Sequence, residues 1–226
     1  SSGAQEITKK DNPYLWRMVE NLAITTGLPM PRVHIINSPA LNAFACGRDP
    51  KHASIAVTTG LMKALENEEL EGVLAHEMSH IKNFDIRVMT IVVVLVGTVS
   101  LLADFFVRVR LYGGGSRRDS GKAGGALAII GLILLIISPI VAELIKLAVS
   151  RKREYLADAS GALLTRYPEG LARALEKISS SKQPLQTASA ATAHMFISNP
   201  FKKGNIMKLF STHPPAEERI KRLREM

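Results

Sequence analysis

Two stretches without a single charge constrain this chain more than any other feature. One runs from Val88 to Ala103, the other, 20 residues long, from Ala123 to Ala142. A helix of about 20 apolar residues spans a bilayer core. The second run is long enough, and the first becomes so when Phe105, Phe106 and Val107 are counted past Asp104. Arg108 and Arg110, then Arg117, Arg118 and Lys122, flank the link, and Gly113-Gly114-Gly115 makes it a flexible turn. The pattern predicts a helical hairpin whose two open ends lie on one side. A pair of buried core helices is the alternative, but uncharged Gly- and Val-rich runs with arginine flanks fit lipid better. A hairpin returns the chain to where it left. Residues just before Val88 and just after Ala142 are therefore expected to meet.

His76-Glu77-Met78-Ser79-His80 stands eight residues before the first run. Leu70, Val73, Leu74 and Ile81 recur at helical spacing, Asn67 suits an N-cap, and Glu68, Glu69 and Glu71 suit the positive end of a helix. On a helix, H-E-x-x-H puts two imidazoles on one face, within reach of one zinc ion. The glutamate stands beside the fourth coordination position, placed to take a proton from water. The alternative is a surface helix with two solvated histidines. A third ligand is needed. One class of zinc hydrolase continues with a glycine and a third histidine, but Asn83 and Ile86 hold those positions. Another class takes a glutamate from a second helix. Glu143 lies inside an apolar stretch with Lys146 three residues on and reads as a packing or lipid-boundary pair. Glu154 lies twelve residues after the second run, and Asp158 shares its helical face. A carboxylate one turn from a ligand suits zinc, because metal-bound imidazoles usually donate their other N–H to one. Taken alone, Glu154 also reads as a salt-bridge partner of its arginine neighbours. The hairpin decides for Glu154, with His76 and His80, as the ligand set, one Zn(2+) per chain.

The remaining chain reads as α+β and mainly helical. Asp11 to Thr26 is an amphipathic helix with Leu15, Val19, Leu22 and Ala23 on one side and Gly27 as its stop. Val33 to Ile36, Ala43 to Cys46 and Ser54 to Val57 read as short strands, the last two joined through the turn Gly47-Arg48-Asp49-Pro50. The strand near Asn42, Ala43 and Phe44 is a candidate edge for holding an extended peptide by its backbone. His34, His52 and His194 lack ligand spacing and read as structural or solvated. Residues 179–199 are polar and alanine-rich. Pro214 to Arg224 is an amphipathic helix started by His213-Pro214-Pro215. The net charge of +9 is compatible with nucleic acid, yet aromatics are only 5% and no nucleic-acid motif is present, so anionic headgroups are the expected partner. One cysteine, Cys46, rules out an internal disulfide and leaves no thiol set to close a structural zinc site.

The H-E-M-S-H segment, Glu154-Tyr155-Leu156-Ala157-Asp158, Asn42-Ala43-Phe44-Ala45-Cys46-Gly47 and Ser211-Thr212-His213-Pro214-Pro215 together resemble the HtpX family of bacterial membrane zinc metalloproteases, relatives of the CAAX prenyl proteases. The resemblance covers nearly the whole chain. It implies a zincin-like catalytic domain with a small sheet and an inserted hydrophobic hairpin, divided as 1–87, 88–149 and 150–226. It implies an endopeptidase in the bacterial inner membrane, its site facing the cytoplasm, acting on damaged or misfolded membrane proteins. His76, His80 and Glu154 would hold zinc, Glu77 would be the general base, and His213 with Arg219 would stabilise the oxyanion. The family carries a further N-terminal hydrophobic hairpin that this sequence lacks, so the sequence reads as a fragment starting after it. A zinc hydrolase of a non-peptide substrate and a non-catalytic zinc protein are the competing readings.

Overall fold

The structure, a computed structural model, describes residues 3–112, 122–181 and 213–226. The chain divides into two compact units, one formed by Ser1–Arg87 with Ser150–Met226, the other by Val88–Val149. It is mostly helical, with one small mixed sheet.

The sheet lies in the first unit. Its strands are β1 (Ala4–Glu6), β2 (Arg32–Ile36), β3 (Ala43–Cys46) and β4 (Ser54–Thr58), in the order β1-β2-β4-β3. β2 and β4 are parallel, with Val33 opposite Ile55 and Ile35 opposite Val57. β3 runs antiparallel to β4, Ala43 opposite Val57 and Ala45 opposite Ile55. Every residue of β4 is buried, as a central strand covered on both faces requires. β3 forms one edge. Asp49 accepts from the His52 N–H at 3.0 Å and closes the tight connection between β3 and β4. β1 is an addition to the expected strands. Three residues, Ala-Gln-Glu, carry no alternation of their own, and they form a strand by pairing with β2.

Helix α1 (Pro13–Thr26) begins where the Asn12 side chain accepts from the Leu15 N–H at 3.0 Å. It buries Leu15, Val19, Leu22 and Ala23 and ends at Gly27, whose φ of 70° is the left-handed conformation that closes helices. A short helix, α2 (Thr59–Ala64), follows β4, capped by Thr58. Helix α3 (Asn67–Lys82) then runs through the core with Leu70, Val73, Leu74, Ala75 and Met78 buried. Its cap corrects the sequence reading. Glu66, not Asn67, precedes the helix and donates its N–H to Glu69 Oε2 at 2.9 Å, while Asn67 accepts from the Tyr14 hydroxyl at 2.6 Å. Glu69 is itself buried, with Lys177 Nζ 2.7 Å from Oε2.

Helix α4 (Asp85–Tyr112) leaves α3 through a two-residue turn in which Phe84 takes a left-handed φ of 55°. Its stretch Asp85–Leu102 is long and apolar enough to cross a membrane, and is the one such stretch found among the described residues. Ile91, Val93, Val94, Leu95, Val99 and Leu101 are all exposed there, more apolar surface than a water-facing helix normally shows. Helix α5 (Lys122–Thr165) is one continuous helix, so a boundary between the units falls within it. Glu143 pairs with Lys146 at 2.7 Å. Helices α6 (Pro168–Ser180) and α7 (Ala216–Arg224) complete the first unit, α6 packing on both α3 and α7. Glycines permit these close approaches. A Cβ at Gly72 would sit 2.8 Å from the Leu171 nitrogen of α6, and one at Gly161 of α5 would sit 3.0 Å from the His76 nitrogen. Of the polar, alanine-rich stretch 179–199, residues 182–199, with His194, lie outside the described residues.

Candidate active site

The 3.6-residue period of α3 puts His76 and His80 on one face. Their rings meet edge to face with centroids 4.6 Å apart and Nε2 atoms 3.1 Å apart. From α5, Glu154 brings Oε1 to 3.5 Å from His80 Nε2 and Oε2 to 3.8 Å from His76 Nε2. One ligand atom of each lies within 4.8 Å of the others. His76, Glu77 and Glu154 are buried.

Each histidine has a carboxylate behind it. His76 Nδ1 lies 2.9 Å from Asp158 Oδ1, and Asp158 receives Arg219 Nε at 2.7 Å and Nη2 at 2.6 Å. His80 Nδ1 lies 2.6 Å from Asp85 Oδ2, and Asp85 Oδ1 in turn pairs with the Arg153 guanidinium. A ring that donates from Nδ1 keeps its Nε2 lone pair bare. Two Nε2 atoms 3.1 Å apart need a cation between them, either a proton shared from one ring to the other or a metal ion. A tetrahedral ion with N and O bonds near 2.0–2.1 Å spaces its ligand atoms about 3.3 Å apart, close to the separations seen here. Two histidine nitrogens and one carboxylate leave a coordination position open, as in catalytic zinc sites.

Burial and charge shift the titrating groups of the cluster in different directions. Burial pushes the Glu77 carboxyl up, and the Glu154 charge adds to it, to about 7, against the opposing His80 charge and the Ala45 N–H. Burial presses His80 down, but the Asp85 hydrogen bond and the Glu154 and Glu77 charges outweigh it, to about 9. Burial holds His76 below its ordinary value. Burial works against the Glu154 charge, yet His213 and Arg219 hold its carboxyl well below the ordinary range. Asp158 stays down at about 2 despite burial, because Arg219 faces it.

The residues singled out in the sequence fall as follows. Glu77 Oε2 accepts the Ala45 N–H of β3 at 2.8 Å, which joins the would-be base to the edge strand. Thr58 N–H bonds Asn42 O at 3.0 Å, so by alternation Ala43 and Ala45, rather than Asn42 and Phe44, turn their backbone groups to the free edge. Asn42 and Ala43 are buried, and Phe44 is half-buried. His213 Nδ1 lies 3.0 Å and Arg219 Nη1 3.3 Å from Glu154 Oε2, so both attend the third ligand. Of the arginine neighbours of Glu154, Arg153 turns to Asp85, while Arg219 from α7 lies against Glu154. His52 pairs with Asp49 at 2.7 Å and His34 lies 4.0 Å from Glu6, both outside the cluster. Nothing in the sequence pattern points to Asp85 or Arg153. Asp85 follows the end of the α3 periodicity, and an arginine beside a glutamate reads as that glutamate's own partner.

A helix carrying His-Glu-x-x-His against a second helix carrying a glutamate defines a metallopeptidase-type site. The chain matches the model of Peptidase family M48 over residues 9–226. It is 56% identical over 225 residues to a protease HtpX homolog of Tropheryma whipplei, covering 100% of this chain and 76% of that protein. It is 56% identical over 215 residues to a protease HtpX homolog of Caldanaerobacter subterraneus, covering 94% and 71%. Its fold is similar to the crystal structure of S. mikatae Ste24p, with a TM-score of 0.56, 23% identity and 97% of this chain covered; the chain spans about half of that protein, 51%. The chain belongs to peptidase family M48.

Proposed function

We propose that the chain is a zinc-dependent endopeptidase working at the surface of the bacterial inner membrane, its site facing the cytoplasm. The carrying observation is the convergence of His76, His80 and Glu154 within 4.8 Å, with Glu77 on the same helix. On this reading, 1–87 and 150–226 make a zincin-like catalytic domain and 88–149 an inserted hydrophobic hairpin that meets lipid. Zinc, when bound by the three ligands, supplies Lewis-acid polarisation of the scissile carbonyl and acidifies the attacking water. Glu77 takes the proton from that water and delivers it to the leaving amine, a contribution typically of roughly 10²–10⁴-fold. A carboxyl brought up to about 7 suits both halves of that transfer.

The substrate is a polypeptide lying extended beside Asn42, Ala43 and Phe44 along the edge of β3, held through the outward-turned backbone of Ala43 and Ala45 rather than that of Asn42 and Phe44, whose backbone groups face β4; the Ala45 N–H is already taken by Glu77. Edge pairing reads no side chains, which suits damaged or misfolded membrane proteins of varied sequence. His213 Nε2 and Asn42 Oδ1 are buried and have no hydrogen-bond partner among the described residues, which supports their meeting a substrate. His213 is the better oxyanion donor, since the three Arg219 groups already serve Asp158 and Glu154. Digestion of casein, an unfolded protein, with and without a chelator tests the proposal. Cleavage should stop with chelator and return with added zinc. Cleavage that persists undiminished in chelator contradicts it.

A further inference from the structure

We propose that Asp85 and Arg153 are positioning residues for the candidate metal site, the pair holding the His80 ring with its Nε2 bare toward Glu154 and His76. The inference rests on the reading of His80 as a metal ligand, and extends it to two residues outside the ligand set.

Three observations carry it. Asp85 is buried and faces His80 Nδ1 at 2.6 Å, so the ring is both oriented and fixed in one tautomer. Arg153 holds the other oxygen of the same carboxylate and also donates to the Asn83 carbonyl, thereby bridging the turn between α3 and α4. Asp85 is the first residue of α4, where free backbone N–H groups favour a negative charge. Its carboxylate is therefore held by His80 on one oxygen and Arg153 on the other. The arrangement repeats the one behind the other histidine, where Asp158 stands between His76 and Arg219. A consequence is that fewer than two turns of α5 serve all three ligands. Glu154 offers the ligand, Asp158 braces His76 directly, and Arg153 braces His80 through Asp85.

An ordinary salt bridge at a helix junction would stabilise the fold without touching metal affinity, and the test separates the two. Zinc affinity of the full chain in detergent is measured by competition with a chromophoric chelator, alongside the melting temperature of the zinc-free protein. Asp85→Asn should weaken zinc binding roughly 10–100-fold. Arg153→Met should weaken it about tenfold, and the double variant no further than Asp85→Asn alone, since Arg153 acts through Asp85. Arg153→Lys keeps the charge but loses the two-pronged grip, and should fall between wild type and Arg153→Met. Were Asp85→Asn not to fold, the two Arg153 variants still decide. Wild-type affinity in all folded variants overturns the positioning role alone. A wild-type chain that binds no zinc overturns the reading of the site itself.

Discussion

The two histidines on α3 are backed by the same chemistry in different surroundings. Behind His76, the Asp158–Arg219 pair is dry, with side-chain exposures of 6% and 1%. Behind His80, the Asp85–Arg153 pair stands nearer the rim, at 7% and 21%. Burial is the largest influence on both rings and pushes both down, yet His76 ends below its ordinary value and His80 above. The difference lies in the neighbours. Positive charge on His80 and Arg219 opposes a proton on His76, whereas His80 faces Asp85, Glu154 and Glu77. One carboxylate behind a histidine therefore does not fix its charge. The inner brace belongs to the core, and the outer brace acts chiefly on the ring it holds.

The largest effect should come from breaking the inner brace. Arg219→Met leaves Asp158 and Glu154 buried without their guanidinium, and removing one partner of a buried pair typically costs about 3–5 kcal/mol. Chemical denaturation of the zinc-free protein should register that loss, whereas Arg153→Met, which leaves Asp85 with His80 still as a partner, should cost less. Equal losses in the two variants would erase the distinction drawn here. Next comes metal loading. Glu154→Ala should reduce zinc affinity by more than about 100-fold, and Glu143→Ala, whose carboxylate pairs with Lys146, should leave it unchanged. Zinc content by atomic spectroscopy checks both, and the reverse pattern would mean that the third ligand is misassigned.

The smallest effect on the site itself is expected from a control at the far end of α3. Glu69 sits below its ordinary carboxylate value, because Lys177 and the Glu66 N–H outweigh burial. A depressed folded-state value contributes stability above the unfolded value of 4.5 that is lost as pH falls through the folded one. Glu69→Gln should therefore cost about 1–2 kcal/mol at neutral pH and flatten the acid limb of the stability curve, with zinc affinity untouched. A change in zinc affinity would show that the ends of α3 are coupled.

Much of this was legible in the sequence where periodicity runs unbroken. Leu15, Val19, Leu22 and Ala23 mark the buried face of α1, and Gly27 its end. The 43–46 strand and the spacing of Glu154 and Asp158 are read in the same way. Legibility fails where contact depends on a change of direction. Phe84 is not a residue type that announces a left-handed φ, and without that turn nothing brings Asp85 back to His80. Arg219 is separated by 61 residues from the Asp158 it serves, so no local pattern links them. The cap of α3 departs from the sequence pattern for a different reason: Asn67 is the better cap by type, but tertiary contact with Tyr14 employs its side chain elsewhere.

The central claim is that Glu77 moves protons beside a metal it does not bind. Glu77→Gln tests it most directly, with zinc content and casein cleavage read on the same preparation. Zinc should stay near one ion per chain while cleavage falls by roughly 10²–10⁴-fold. Cleavage near the wild-type rate with zinc retained would contradict the account.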